Sequence, residues 1–182
     1  MTPHCAAGEW WPTTQATKVA DALPLDPRSL RSALGRFATG VTIVTCLDKI
    51  GERAGLTANS FSALSLEPPL VMWSLRLSSP SLPAFVAAQT YAINVLGEAQ
   101  VDLSRRFASA TPDKFSEGPW TQGDHGAPVL SACAAVFECA AVSHQEAGDH
   151  VLFIGRVVGM SEAPVPPLIF QAGHYRLLGE VL

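Results

Sequence analysis

The run Gly55-Leu-Thr-Ala-Asn-Ser-Phe61 follows closely on a β-branched stretch, Val41-Thr-Ile-Val-Thr-Cys46. β-Branched residues suit a pleated, half-buried strand. The segment around Asp48-Lys-Ile-Gly51 carries turn residues, so Val41–Cys46 and Ala54–Ala58 read as an antiparallel hairpin. The second strand then ends in small polar residues with little side-chain bulk to keep a planar ligand away. Thr57, Asn59 and Ser60 add side-chain donors and acceptors to those of the backbone. Flanking strands would supply apolar walls. The same composition also fits a plain turn.

Working outward, Asp26 and Pro27 have the character of a helix N-cap and first helical residue. Leu30, Ala33, Leu34 and Phe37 would form the apolar face of that helix, with Arg28, Arg31 and Arg36 in solvent. Leu70–Leu75 and Tyr91–Leu96 read as strands. Between them Ser79 and Pro80 would start a short helix through Ala88. Gln100–Ala108 reads as a helix with Val101, Leu103 and Phe107 inward and Arg105 and Arg106 outward, followed by a loop over 111–128. Cys133–Val142, Val151–Met160 and Leu168–Leu178 read as strands, with a turn at Gln145–Asp149. Residues 151–158 are apolar on both faces, as in a closed barrel covered by helices or another subunit. The predicted fold is a mostly antiparallel β-barrel with a few helices.

At 182 residues the chain can bury one core without metal or disulfide help. Residues 1–25 hold three prolines and the pair Trp10-Trp11 without periodicity, and read as an extension ahead of one domain over 26–182. The start has no basic segment followed by an apolar core, so no secretory signal is expected. A charged fraction of only 15% suggests surface hidden in an oligomer. A net charge of −4 without a basic block argues against nucleic acid, and no apolar run reaches spanning length. Cys5, Cys46, Cys133 and Cys139 include no C-x-x-C pair. They read as reduced thiols of a cytoplasmic protein, and no metal site is expected.

Dinucleotide and P-loop glycine patterns, an acyl-transfer G-x-S-x-G and a zinc H-E-x-x-H are all missing. An enzyme whose organic cofactor carries the bond chemistry needs none of them. Ser78, Ser79 and Ser81, at the start of a predicted helix, could bind phosphate or serve as an N-cap and turn. Arg105 and Arg106 could supply a countercharge or remain solvated on an exposed face. His150, opening a strand after Gly148-Asp149, could reach across a site mouth or decorate the surface. His174 and Tyr175, after Gly173, pose the same choice.

These segments occur in a definite order: Gly35–Thr45, Gly55–Ser62, Glu67–Val71, Tyr91–Leu96, Leu103–Ala108, Gly148–His150 and Gly173–Tyr175. Together, from about Leu30 to Leu178, the chain resembles the flavin reductase-like family, which includes the small reductase components of two-component flavin-dependent monooxygenases. The resemblance implies a split β-barrel working as a homodimer, with FMN or FAD near the subunit interface. It also implies hydride transfer from the C4 of NADH or NADPH to the flavin N5, and delivery of reduced flavin to a separate oxygenase. Carried over by position, Thr57, Ala58, Asn59 and Ser60 would line the flavin ring and ribityl chain, and Trp73, Ser74 and Leu75 would border the same pocket. Ser78, Ser79, Ser81, Arg105 and Arg106 would serve the phosphate end. Phe37 to Val41, His150, Gly173, His174 and Tyr175 would lie on the nicotinamide side, with His150 positioning the donor. A flavin-binding module or carrier without turnover is the alternative on the same barrel.

Overall fold

A computed structural model describes residues 25–181. Trp10, Trp11, Cys5 and nearly all of the expected extension therefore lie outside the described residues. The chain opens with helix α1 (Pro27–Leu34), whose N-cap Asp26 accepts the Ser29 backbone N–H at 2.9 Å. That cap satisfies an otherwise orphaned helix donor, an effect of about 1 kcal/mol. No residue of α1 is buried, and Leu30 and Leu34 are exposed. Leu30, Ala33 and Leu34 of the expected stripe lie on α1 with nothing among the described residues burying them, whereas Phe37 falls beyond the helix, which ends at Leu34 with Gly35 as its C-cap.

Strands β1 (Thr39–Gly40), β2 (Thr42–Leu47), β3 (Arg53–Ala58), β4 (Ser62–Leu66) and β5 (Pro69–Arg76) follow. After helix α2 (Leu82–Ala87) come β6 (Thr90–Val95) and helix α3 (Val101–Ala108). Then come β7 (Trp120–Gln122), β8 (Pro128–Leu130), β9 (Ala135–Ala147), β10 (His150–Glu162), β11 (Ile169–Gln171) and β12 (His174–Arg176). Seven strands form one antiparallel sheet in the order β3-β2-β6-β9-β10-β5-β4. The hairpin β2–β3 has the expected register, with Thr42 opposite Ala58 and Leu47 opposite Arg53. Strand β1 joins a small sheet with β11 and β12.

The closed barrel is corrected to a split one. β3 and β5 share no ladder, and the sheet curls until side chains bridge the seam. The Ser60 hydroxyl accepts the Ser74 backbone N–H at 2.9 Å and donates to the Ser74 carbonyl at 3.0 Å. The strand buried on both faces is β2, not β10. Val44 packs into one apolar cluster and its neighbour Ile43 into the other. Along β10 burial alternates, with Val151, Phe153 and Gly155 inside and Arg156 exposed.

Other boundaries differ from the sequence reading. β9 runs on to Ala147, leaving only Gly148-Asp149 in the turn. The expected loop over 111–128 contains a 3-10 turn (Lys114–Ser116), β7 and the start of β8. The last expected strand is broken into β11 and β12 because Ala172 and Gly173 both take positive φ, 50° and 80°. That conformation belongs to a tight hairpin turn, not to a strand.

Trp73 lies at the centre of the first cluster. Its ring stacks on Phe153 at 4.5 Å and meets Phe85 edge-on at 5.0 Å and Tyr91 at 5.7 Å. Each such pair contributes about 0.5–1.5 kcal/mol beyond burial. Phe107 of α3 belongs to the second cluster, so the two helices α2 and α3 cap different parts of the core. No described helix is long and apolar enough to cross a membrane.

Candidate flavin cleft

Helix α3 docks closely on strand β3 because Gly55 has no side chain: a Cβ there would stand 2.8 Å from the Phe107 ring. Phe107 therefore seats against β3, and the Thr57 hydroxyl donates to the Ser104 carbonyl of α3 at 2.6 Å. A cleft of about 570 Å³ opens beside this junction. Its walls come from β3 and the residues after it (Leu56–Ser60), from β5 and the loop beyond (Ser74–Arg76, Ser78–Ser81), from Phe107–Ala110, and from Lys114 and His150. The volume lies within the range of small-molecule and cofactor sites.

Of the residues expected on the ring side, Thr57, Ala58, Asn59, Ser60, Ser74 and Leu75 all line this cleft. Trp73 does not. It is fully buried in the core, because strand alternation turns it to the face opposite Ser74. Thr57 and Ser60 use their hydroxyls on Ser104 and Ser74. Asn59 is exposed, and its amide has no hydrogen-bond partner among the described residues, so both its carbonyl and its NH₂ are available to a ligand.

Ser78, Ser79 and Ser81 line the same cleft, but Ser79 is not a helix N-cap. Helix α2 starts at Leu82, Ser81 is its N-cap, and Ser81 makes no side-chain capping bond. Ser79 instead accepts the Ser81 backbone N–H at 3.3 Å across the turn. With only six residues, α2 offers little dipole, so the hydroxyls and cations matter more.

Arg105 and Arg106 do not line the cleft. Arg105 pairs with Asp102 at 3.1 Å on the outer face of α3. Arg106 donates to the Lys114 and Asp113 carbonyls, to the Ser116 hydroxyl and to Glu117, clamping the 113–117 segment. Lys114 is the cation that sequence reasoning missed. Its Nζ donates to the Phe107 carbonyl at 2.9 Å and lies 3.4 Å from the Gly55 carbonyl, and partial burial pushes its pKa down. Arg76 joins it in the lining, and no carboxylate does. No local signal marks Lys114, since its place depends on the Arg106 clamp.

His150 opens β10 as expected and borders the cleft. Its Nδ1 lies 2.7 Å from Asp149 Oδ1. The hydrogen bond to His150, helped by attraction to the imidazole, holds the Asp149 carboxyl below its usual range. Phe37 and Gly173 border a second cleft, of about 930 Å³, which shares Asn59 and Ser60 with the first. His174 and Tyr175 line neither cleft: His174 Nδ1 sits 2.8 Å from the Ala172 carbonyl, and the Tyr175 hydroxyl bonds Ser104 at 2.9 Å.

A flat ring system carrying a phosphate matches this donor set. The unpartnered Asn59 amide, Lys114 and the serine loop all line this cleft, offering partners to a polar ring edge and to a phosphate.

Residues 34–179 match the flavin reductase like domain. The chain is 44% identical over 160 residues to the probable flavin reductase of Rhizobium meliloti (strain 1021), covering 86% of this chain and 51% of that protein. It thus spans about half the length of that relative. The reductase subunit of a flavin-dependent monooxygenase from Rhodococcus jostii (strain RHA1) is 41% identical over 152 residues, which is 83% of this chain and 77% of the relative. Among solved structures, the Streptomyces globisporus NADH:FAD oxidoreductase in complex with NAD and FAD fragments superposes with a TM-score of 0.80 at 35% identity, covering 87% of this chain and 98% of that one. By sequence and by fold, the chain belongs to the flavin reductase-like family.

Proposed function

We propose that the chain is an NAD(P)H-dependent flavin reductase that hands reduced FMN or FAD to a separate flavin-dependent monooxygenase. The observation that supports this reading is that two clefts share Asn59 and Ser60 in their lining, so that a flavin and a nicotinamide donor can occupy neighbouring sites. Bound flavin supplies the hydride acceptor for a nicotinamide donor, so the protein needs no acid or base at the reacting atoms.

What the chain contributes is binding, alignment and exclusion of water. Leu56, Leu75 and Phe107 provide apolar wall. Asn59 offers an amide to the polar ring edge. Ser78, Ser79 and Ser81 with Lys114 hold the phosphate, and Arg76 adds charge. At His150 the carboxylate of Asp149 can only accept, so Nδ1 carries the proton. In the neutral ring Nε2 is then an acceptor, suited to a carboxamide N–H of the donor. His150 acts in this reading as a positioning residue. Arg105, Arg106, Trp73, His174 and Tyr175 line neither cleft and make no direct cofactor contact in this reading.

The homodimer is part of the same proposal. Leu64 and Leu66 on β4, Val142 on β9 and Met160 on β10 are exposed, and a partner subunit would cover such side chains. Cys46, Cys133 and Cys139 are buried free thiols whose pKa burial pushes up to about 12, which fits a reducing cytoplasm.

The test is loss of nicotinamide absorbance in air, with each of NADH and NADPH paired with catalytic FMN or FAD. Multiple turnovers with at least one pair are expected. Firm flavin binding without oxidation of either donor would replace the reductase with a binding module.

A further inference from the structure

The second cleft is lined by Arg28, Arg31 and Arg36 and by the segment Phe170–Gly173. All three arginines are exposed, and none forms an ion pair among the described residues. No carboxylate lines this cleft. The one acid at the start of α1, Asp26, accepts both the backbone N–H and the hydroxyl of Ser29. Three guanidinium groups thus border an otherwise largely apolar hollow, in a chain whose net charge is −4. Exposed Phe37 offers a ring for stacking at the same place. This cleft meets the first one at Asn59 and Ser60.

We propose that Arg28, Arg31 and Arg36 bind the diphosphate-bearing adenosine half of the nicotinamide donor, while its nicotinamide end reaches Asn59 and Ser60. The proposal rests on the reductase reading and adds the residues that hold the donor. Guanidinium groups match phosphate oxygens in pairs of N–H donors, which a lysine cannot do. A cleft of about 930 Å³ is large enough for a nucleotide half. Placing the anionic end here also keeps it apart from the flavin phosphate, which Lys114 and the serine loop hold in the other cleft.

The test uses the full chain and ADP-ribose, which carries the diphosphate and the adenosine but no nicotinamide. Titration calorimetry is expected to give a dissociation constant that rises with salt, as phosphate contacts demand. Single Arg→Ala changes at 28, 31 and 36 should each raise it roughly three- to tenfold, reduced from a buried ion pair's effect by solvent. Arg31→Lys should recover part of the loss. In the steady state the triple variant should raise KM for the donor more than it lowers kcat, with the flavin dissociation constant unchanged.

Absence of ADP-ribose binding by the unaltered chain overturns the proposal. So does a triple variant that keeps both the ADP-ribose affinity and the donor KM. A changed sedimentation coefficient in that variant with unchanged ADP-ribose affinity would make the cleft a subunit contact instead. No oxidation with any donor–flavin pair would remove the reductase reading itself. Normal oxidation with an unaffected KM would remove only the arginine site.

Discussion

Two runs of small hydroxyl residues face the same cleft, and they are used in opposite ways. In Thr57–Ser60 the hydroxyls are spent inside the protein: Thr57 ties β3 to α3 through Ser104, and Ser60 bridges the barrel seam to Ser74. In Ser78–Ser81 only Ser79 is engaged, on a neighbouring N–H within its own turn. The first run lies where two elements come together without a backbone ladder, so side chains must pair the backbone groups left over. The second lies in a turn whose backbone closes on itself, with Ser79 N–H reaching the Arg76 carbonyl and Leu82 N–H the Ser79 carbonyl. Its hydroxyls stay available to a ligand. What a serine does here is decided by whether a backbone group opposite it lacks a partner.

That contrast can be broken from the seam outward. Ser60→Ala should cost about 1–3 kcal/mol, because it strands the partly buried Ser74 N–H. Urea unfolding would measure it, and a cost below about 0.5 kcal/mol would mean that the seam is held by something else. Asn59→Leu should leave stability almost unchanged, since Asn59 is exposed and unpaired, yet weaken flavin binding about tenfold. Fluorescence titration would check that loss.

Thr57→Val should cost about 1 kcal/mol of stability by deleting one hydrogen bond at nearly constant volume. The drop in thermal midpoint is the readout. His150→Ala should raise the donor KM several-fold with a smaller effect on flavin affinity, roughly one hydrogen bond's worth of binding energy. Smallest should be Ser78→Ala, with stability within about 0.5 kcal/mol and flavin affinity lowered two- to fourfold. A stability loss at Ser78 as large as that at Ser60 would erase the distinction between the two runs.

Much of the fold was legible in the sequence. The β2–β3 hairpin follows from β-branched residues on either side of the Asp48–Gly51 turn, where Asp48 Oδ1 accepts the Ile50 and Glu52 N–H groups at 2.9 Å. The start of α1 follows from Asp26 and Pro27. Six of the seven residues expected around the ring do line one cleft. Legibility failed wherever a residue's environment is set by distant partners. Trp73 and Ser74 are adjacent, and only the packing of Phe85, Tyr91 and Phe153 tells which of them faces the core. Likewise, Arg105 and Arg106 look like free cations in sequence, but Asp102 and the 113–117 segment occupy them.

The sequence by itself determined the β2–β3 hairpin, the start of α1 and the order of the longer strands, because caps and tight turns rest on interactions between residues close along the chain. Tertiary structure alone decided the seam closed by Ser60, the placement of Lys114 in the cleft and the meeting of the two clefts at Asn59. The seam joins Ser60 to Ser74 and the cleft brings Lys114 beside Gly55, residues well separated along the chain whose proximity exists only once the sheet has curled.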